Sequence, residues 1–165
     1  MKPTDARTTL ATAALLLFSL TLLVACGSSG PVRRVSEPAG NIQQLSVGAD
    51  GSWTVELRLD NYSSIPMRFD RIDATMTIAG QPPVALQATP GITIGPETAD
   101  VVVIRAEPPS NAKIAVADAL ARNTRISYHL GGQVTATPDK GNPRTYRLDR
   151  DNALSPMPGL PGVLR

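Results

Sequence analysis

The sequence predicts a mainly β protein, built as a single antiparallel β-sandwich with one short helix. Short stretches of alternating apolar and polar residues recur along the chain, separated by turns rich in glycine, proline and asparagine. Only residues 111–122 show apolar residues at helical spacing. The 140 residues that follow a leader of 25 are enough for one domain with one core. The sandwich is expected over residues 42–150.

The clearest strand covers residues 53–60. Its inward positions are all apolar: Trp53, Val55, Leu57 and Leu59. The positions between them are polar or charged, as in a strand with one buried face. A shorter strand over residues 42–47 precedes it, and the Asp50-Gly51 pair favours a turn between the two. Apolar residues alternate again over residues 72–78, so a further strand is expected there.

The second half of the chain continues this pattern. Residues 84–88 follow two prolines, which favours a sheet edge or the start of a strand, and residues 92–94 alternate next. Residues 101–104 are apolar on both faces, which predicts a central strand covered by a second layer. Further strands are expected after residue 126 and over residues 144–149. In the predicted helix, Ser110 is the expected N-cap, and the expected buried stripe consists of Ile114, Ala117, Leu120 and Ala121.

The first 25 residues have the layout of a secretory signal. Lys2 and Arg7 precede an uncharged run over residues 10–25, and a polar Gly-Ser segment follows. The run has 16 residues, fewer than the roughly 20 that cross a hydrocarbon core. A removed leader is therefore favoured over a permanent membrane helix.

The end of this leader resembles the lipobox of bacterial lipoproteins. The matching positions are Leu23, Val24, Ala25 and Cys26, and Cys26 is the only cysteine in the chain. The resemblance implies that residues 1–25 are removed and that Cys26 is acylated. The alternative is an ordinary signal-peptidase site beside an incidental cysteine. Two or more acyl chains give stable anchoring, so the membrane is an expected partner through this lipid.

The resemblance also implies a location in the cell envelope. By resemblance to lipoprotein sorting in a double-membraned host, Gly27 rather than an aspartate after Cys26 favours transport to the outer membrane. The domain would then face the periplasm. Residues 26–41 are rich in glycine, serine, proline and arginine, which predicts a flexible tether. Within it, Arg33 and Arg34 are interpreted as a solvated pair rather than as a contact for anionic headgroups.

Composition excludes several functional classes. The formal net charge is +2 and basic residues are scattered, so neither a basic stripe nor an aromatic platform for nucleic acid is expected. His129 is the only histidine and is predicted to face solvent, so no metal site is expected. Asp70 and Asp73 are predicted on opposite faces of a strand. Without a nucleophile elbow or a phosphate-binding glycine loop, the chain is expected to be no enzyme and to hold no cofactor beyond the covalent lipid.

A wider pattern resembles the late embryogenesis abundant (LEA) type 2 family and its WHy domain, named for water stress and hypersensitive response. It comprises the alternating strand that ends at Asn61, the Ile-Pro-Met loop of residues 65–67, the strand that closes on Gly80, and the YHLGG run of residues 128–132. The resemblance spans residues 42–148. It implies an immunoglobulin-like or fibronectin type III-like sandwich, no catalytic residues, and a stress-associated or envelope-associated role. Tyr62 departs from the proline that usually follows the asparagine.

Two features carry open alternatives. Asn61 is interpreted as a residue that binds nearby backbone rather than a ligand. The proline-rich tail, residues 151–165, is expected to pack on its own domain, with partner docking as the alternative. The expected function is to bind or stabilise an envelope component, with an unidentified protein or envelope partner. The alternative is an accessory lipid-binding or lipid-transport lipoprotein whose sandwich or helix shelters acyl chains.

Overall fold

Two antiparallel sheets and one helix make up residues 33–165, the part of the chain described by a computed structural model. The elements in chain order are β1 (Ala39–Val47), β2 (Trp53–Asn61), β3 (Met67–Ile78), β4 (Val84–Ala88), β5 (Ile92–Ile94), β6 (Thr98–Ala106), α1 (Ser110–Arg122), β7 (Ile126–Pro138), β8 (Arg144–Leu154) and β9 (Val163–Leu164).

The first sheet has the strand order β6-β2-β1-β9 and the second has the order β4-β3-β7-β8. The short strand β5 also pairs with β3, beyond the end of β4. All pairings are antiparallel. The predicted fold class, a mainly β sandwich with a single helix, is confirmed.

The core lies between the two sheets. The four apolar residues predicted on the inward face of β2 are all buried, and so are the alternate residues of β3 from Ile72 to Ile78. Phe69, Met76, Leu86 and Leu130 supply the facing side chains of the second sheet. Because each strand has one apolar face, stacking the two sheets removes both apolar faces from water.

The predicted central position of residues 101–104 is wrong. They lie in β6, which is an edge strand of the first sheet and pairs only with β2. Val102 and Ile104 are buried, whereas 62% of Val103 is exposed. The apolar run reflects strand propensity on the outer face and not a covering layer.

Helix α1 buries a different face from the one predicted. Its buried residues are Ala112, Val116 and Ala119, while 67% of Ile114 is exposed. The predicted cap is also wrong, because the N-cap residue is Pro109 and no side chain caps the helix. The helix ends at Arg122 and is followed by the C-cap residue Asn123, whose backbone is left-handed at φ 52°.

A β-bulge in β3 reverses the prediction for its two aspartates. The register of β3 on β7 shifts between Phe69 and Arg71. Phe69 and Ile72 are both buried, so the bulge places Asp70 and Asp73 on the same outward side. The two carboxylates nevertheless bind different partners, since Asp70 pairs with Arg68 and Asp73 pairs with Arg71.

The sandwich extends beyond the predicted limits of 42 and 150. Strand β1 begins at Ala39, and the compact unit begins at Arg33, inside the predicted tether. At the other end, β8 continues to Leu154, and the predicted tail supplies β9. Polar contacts at the first boundary and backbone pairing at the second explain why neither segment is free.

Candidate functional site

The predicted lipid site lies outside the described residues. This applies to the attachment residue Cys26 and to the cleavage motif formed by Leu23, Val24 and Ala25. The described chain begins at Arg33, seven positions after Cys26. The features that can be examined are therefore the two terminal segments, the loops they touch, and the surfaces of the sandwich.

The first terminal segment is fastened by an arginine to the β7–β8 hairpin. The Arg33 guanidinium donates to the Asp139 carboxylate at 3.1 Å and to the Asp139 carbonyl at 3.0 Å. The backbone N–H of Asp139 donates to the carbonyl of Pro66 at 2.9 Å. This links the segment to the hairpin and to the start of β3.

Arg34 binds the loop that follows β2. Its backbone exchanges two bonds with Ser64, since its N–H donates to Ser64 Oγ at 2.8 Å and its carbonyl accepts from the Ser64 N–H at 3.0 Å. Its guanidinium donates to the Tyr62 carbonyl and to Glu97 Oε1, each at 3.2 Å. We call residues 33–36 with these partners the N-terminal clamp. Both arginines remain exposed to solvent, as interpreted from the sequence, but they also bind the domain.

Asn61 binds the backbone around the loop that follows β2, which the N-terminal clamp also contacts. Its buried side-chain amide donates to the carbonyls of Ile65, Ile94 and Gly95 at 2.9–3.1 Å, and its Oδ1 accepts from the Ser63 N–H at 2.9 Å. Ser63 is also buried, and its hydroxyl accepts from the Ser36 N–H at 3.0 Å. Asn61 thus has the backbone-binding role interpreted from the sequence, and all four of its bonds lie inside the fold.

The C-terminal tail is fastened at the opposite end of the sandwich by backbone pairing. Residues 155–157 continue from β8 and pair with residues 163–165, while β9 pairs with β1. The Gly162 carbonyl accepts from the Val47 N–H at 2.9 Å. Leu164 is fully buried. The tail therefore spans the gap between β8 of the second sheet and β1 of the first, and packs on its own domain.

A shallow apolar groove separates this tail from the end of α1. It has a volume of about 460 Å³. Leu120 and Ala121 form the helical wall, and Met157, Leu160 and Pro161 form the tail wall. Leu160 is 48% exposed, so the groove presents apolar surface to solvent. Polar atoms come from the backbone and from Asn123.

The outer faces of the sheets carry charges that are paired within single strands. Four Arg–Asp pairs are two residues apart, with N–O distances of 2.5–3.0 Å: Arg58–Asp60, Arg68–Asp70, Arg71–Asp73 and Arg147–Asp149. In each pair the residue between is apolar and buried. The Arg–apolar–Asp pattern was readable in the sequence from strand alternation. Its effect is that Arg58, Arg68, Arg71 and Arg147 each have a countercharge two residues away on the same strand.

His129, Asp70 and Asp73, the titratable residues considered from the sequence, lie on the outer faces of the sheets. His129 lies on the outer face of β7, where its Nδ1 is 2.9 Å from the exposed carboxylate of Asp151. Within residues 33–165, no group of three His, Cys, Asp or Glu side chains is placed to hold a metal ion. Over the same residues, no helix is long and apolar enough to cross a membrane.

A buried hydroxyl joins the two sheets on the side where β1 faces β8. Tyr128 Oη accepts from the Ile42 N–H at 3.0 Å. Burial raises the pKa of Tyr128 above its usual value, more than hydrogen bonding lowers it. At the far turn, the Ser52 hydroxyl and N–H lower the pKa of Asp50.

Comparisons with known proteins give structural likeness only. No family model and no curated protein sequence matches the chain. One similar solved structure is of a protein assigned to the LEA group, 13% identical, with a TM-score of 0.47 over 94% of this chain and 87% of the other. A protein from Arabidopsis thaliana is 16% identical, with a TM-score of 0.43 over 79% of this chain and 85% of its own.

A third similar structure is the ApaA protein from Bordetella pertussis. It is 10% identical, with a TM-score of 0.47 over 79% of this chain and all of its own. With identities this low and TM-scores below 0.5, these structures assign neither a family nor a function.

Proposed function

We propose that this chain is a lipid-anchored, non-catalytic protein of the cell envelope, whose LEA type 2-like sandwich binds or stabilises an envelope component. The observation that carries the proposal is the lipobox-like sequence of residues 23–26, seven positions ahead of a compact unit that begins at Arg33. A lipid anchor followed at once by one small β domain is the organisation of a protein that works at a membrane surface.

The N-terminal clamp limits the distance that could separate the domain from the membrane. Because residues 33–36 are bound to the domain, only residues 26–32 remain as a connection to the acylated cysteine. Seven residues span at most about 24 Å when fully extended. The proposed anchor would therefore keep the clamp end of the sandwich within this distance of the membrane.

The proposed stress-related role is supported by the sequence pattern of residues 53–80. The structure adds a physical reason for that pattern, since the asparagine at the end of β2 makes four bonds that hold the following loop. The pattern thus concerns the fold, and the stress-related role is a proposal to be tested in cells.

The alternative, a lipid-handling lipoprotein, is favoured by one observation. The apolar groove between α1 and the tail is open to solvent and large enough for part of an acyl chain. The sandwich interior is filled by side chains, so a bound lipid would lie in the groove. Mass spectrometry of the purified protein tests this: copurified lipid that is lost in Leu160→Asp supports the alternative, and its absence counts against it.

Metabolic labelling with a tagged palmitate tests the main proposal. Wild type and Ser29→Ala, a matched change just beyond the lipobox, are expected to take up label and to fractionate with the outer membrane. Cys26→Ser is expected to take up none. Label in Cys26→Ser, or no label in wild type, would overturn the anchor.

The stress role needs a separate readout. A strain without this protein is expected to survive drying or osmotic shock less well than its parent. Wild type should restore survival, whereas Cys26→Ser should not. Equal survival of the deletion strain and its parent would remove the stress role while leaving the anchor intact.

A further inference from the structure

The long edge strands of both sheets share one hydrogen-bonding feature. An edge strand presents unpaired N–H and C=O groups on which another chain can add a strand. In the first sheet the long edge is β6, with nine residues, and in the second it is β8, with eleven. Each of the two contains an Asp or Asn whose side chain binds the N–H of the next residue.

On β6 the capping residue is Asp100. Its Oδ1 accepts from the Val101 N–H at 2.8 Å. In an antiparallel ladder, the backbone N–H and C=O groups of successive residues point alternately to the two sides of a strand. In β6, these groups point towards β2 at the even-numbered residues. Val101 therefore points its N–H to the open side, where an added strand would place a carbonyl. The Asp100 carboxylate occupies that place and would repel the carbonyl oxygen.

The same geometry is found on β8. Asn152 Oδ1 accepts from the Ala153 N–H at 2.9 Å. Even-numbered residues of β8 pair with β7, so the Ala153 N–H also points to the open side.

The other edges are short or obstructed. Strand β9 covers only Leu45 and Ser46 of β1, and further along that side of β1 the Ile42 N–H is bound by the Tyr128 hydroxyl. Strand β4 has five residues that follow directly on Pro82 and Pro83. Short strands and prolines both discourage edge pairing. In the described part of the chain, two Asp or Asn side chains accept from the N–H of the residue that follows them, and each lies on one of the long edges.

We propose that Asp100 and Asn152 are edge caps that prevent the domain from pairing strand to strand with a second copy of this chain. The need is greatest on β6, where Val101 and the exposed Val103 would give an added strand β-branched side chains to pack against. The inference does not depend on the proposed anchor. If Cys26 is acylated, confinement to a membrane raises the local concentration of copies, and the caps then matter more.

The test measures oligomeric state with residues 33–165, the compact unit that holds the whole core. Light scattering is expected to find wild type monomeric at every concentration. Asp100→Ala is expected to form dimers or larger species whose mass rises with concentration, and adding Asn152→Ala is expected to increase this. Glu107→Ala and Asn111→Ala are the matched controls, because they remove an exposed carboxylate and an exposed amide outside the edges, and both should stay monomeric.

Amide exchange supplies a second readout at low concentration, where the chain is monomeric. The Val101 amide in Asp100→Ala is expected to exchange about five- to tenfold faster, the effect of losing one hydrogen bond. Asp100→Asn retains an accepting oxygen and should keep both the protection and the monomer. The proposal is overturned if folded Asp100→Ala stays monomeric with unchanged Val101 exchange, or if Asp100→Asn assembles as readily as Asp100→Ala. Asp100 is exposed, so this variant tests the proposal even if Asn152→Ala destabilises the fold.

Discussion

The two terminal segments are fastened to opposite ends of the sandwich by different kinds of interaction. The N-terminal clamp relies on arginine and serine side chains, and its ion pairs are half exposed. The tail relies on backbone hydrogen bonds and on Leu164, which is fully buried. A buried leucine is worth several times an exposed ion pair. The tail is therefore an integral part of the fold, whereas the clamp is a weaker attachment that salt can loosen.

The largest expected effect lies in the tail. Leu164→Ala should lower the free energy of unfolding by about 3 kcal/mol, since it leaves a cavity beside β1. Chemical denaturation measures this. Leu160→Ala, in the same tail but half exposed, is the control and should cost less than about 0.5 kcal/mol. Equal losses in the two variants would show that the tail does not pack as described.

The loop gripped by the clamp should be the next most sensitive region. Asn61→Ala removes the partner of three carbonyls and one N–H, so the free energy of unfolding should fall by about 2 kcal/mol. Asn111→Ala, an exposed amide in α1, should change it little. A neutral result for Asn61→Ala in denaturant melts would contradict a structural role and reopen a binding role.

A smaller effect with a pH signature is expected where β1 leaves the clamp. Tyr128→Phe leaves the Ile42 N–H without its acceptor and should cost about 1 kcal/mol at neutral pH. Because the pKa of Tyr128 is raised in the folded state, its contribution is complete below the ordinary tyrosine pKa of about 10 and is lost as pH rises past the folded value.

The difference in stability between wild type and Tyr128→Phe should therefore shrink at alkaline pH. Denaturation at several pH values gives this difference, and Tyr62→Phe, which alters an exposed tyrosine, serves as the control. A constant difference up to pH values well above 10 would mean that the Tyr128 hydroxyl does not titrate differently in the folded chain.

The smallest effect is expected in the clamp itself. The coupling energy between Arg33 and Asp139 should be below about 1 kcal/mol, because both side chains are about half exposed. A double-mutant cycle with Arg33→Ala and Asp139→Ala measures it. The coupling should fall in high salt, whereas the cost of Leu164→Ala should not. A coupling that salt leaves unchanged would place the pair in a drier environment than described.

Prediction from the sequence succeeded where the alternation within one strand is enough to identify its buried face. The alternation from Trp53 to Asp60 indicates which face is buried without any knowledge of the partners of β2, and the same holds for Ile72 to Ile78. Local periodicity is enough here because a strand has only two faces.

Prediction failed where the answer depends on a distant partner. Val101 to Ile104 has the composition of a central strand, but only the topology makes β6 an edge. Helix α1 has apolar residues on two stripes, and the sheet below selects the one with Val116 and two alanines. The clamp joins Arg33 to a hairpin 106 positions away, and no local pattern carries that information. The bulge at Asp70 likewise appears only in the pairing of β3 with β7.

The arrangement of β1 has a mechanical consequence. Tension on the N-terminus would reach β1 at Ala39 and run along the strand, perpendicular to its hydrogen bonds with β2 and β9. Bonds loaded in this shear direction share the force and must break together, unlike those at the end of a hairpin, which open one at a time. The clamp would yield first and lengthen the connection by a few residues. If Cys26 is acylated as proposed, a pull on the lipid would lengthen the segment ahead of β1 before it strained the sandwich.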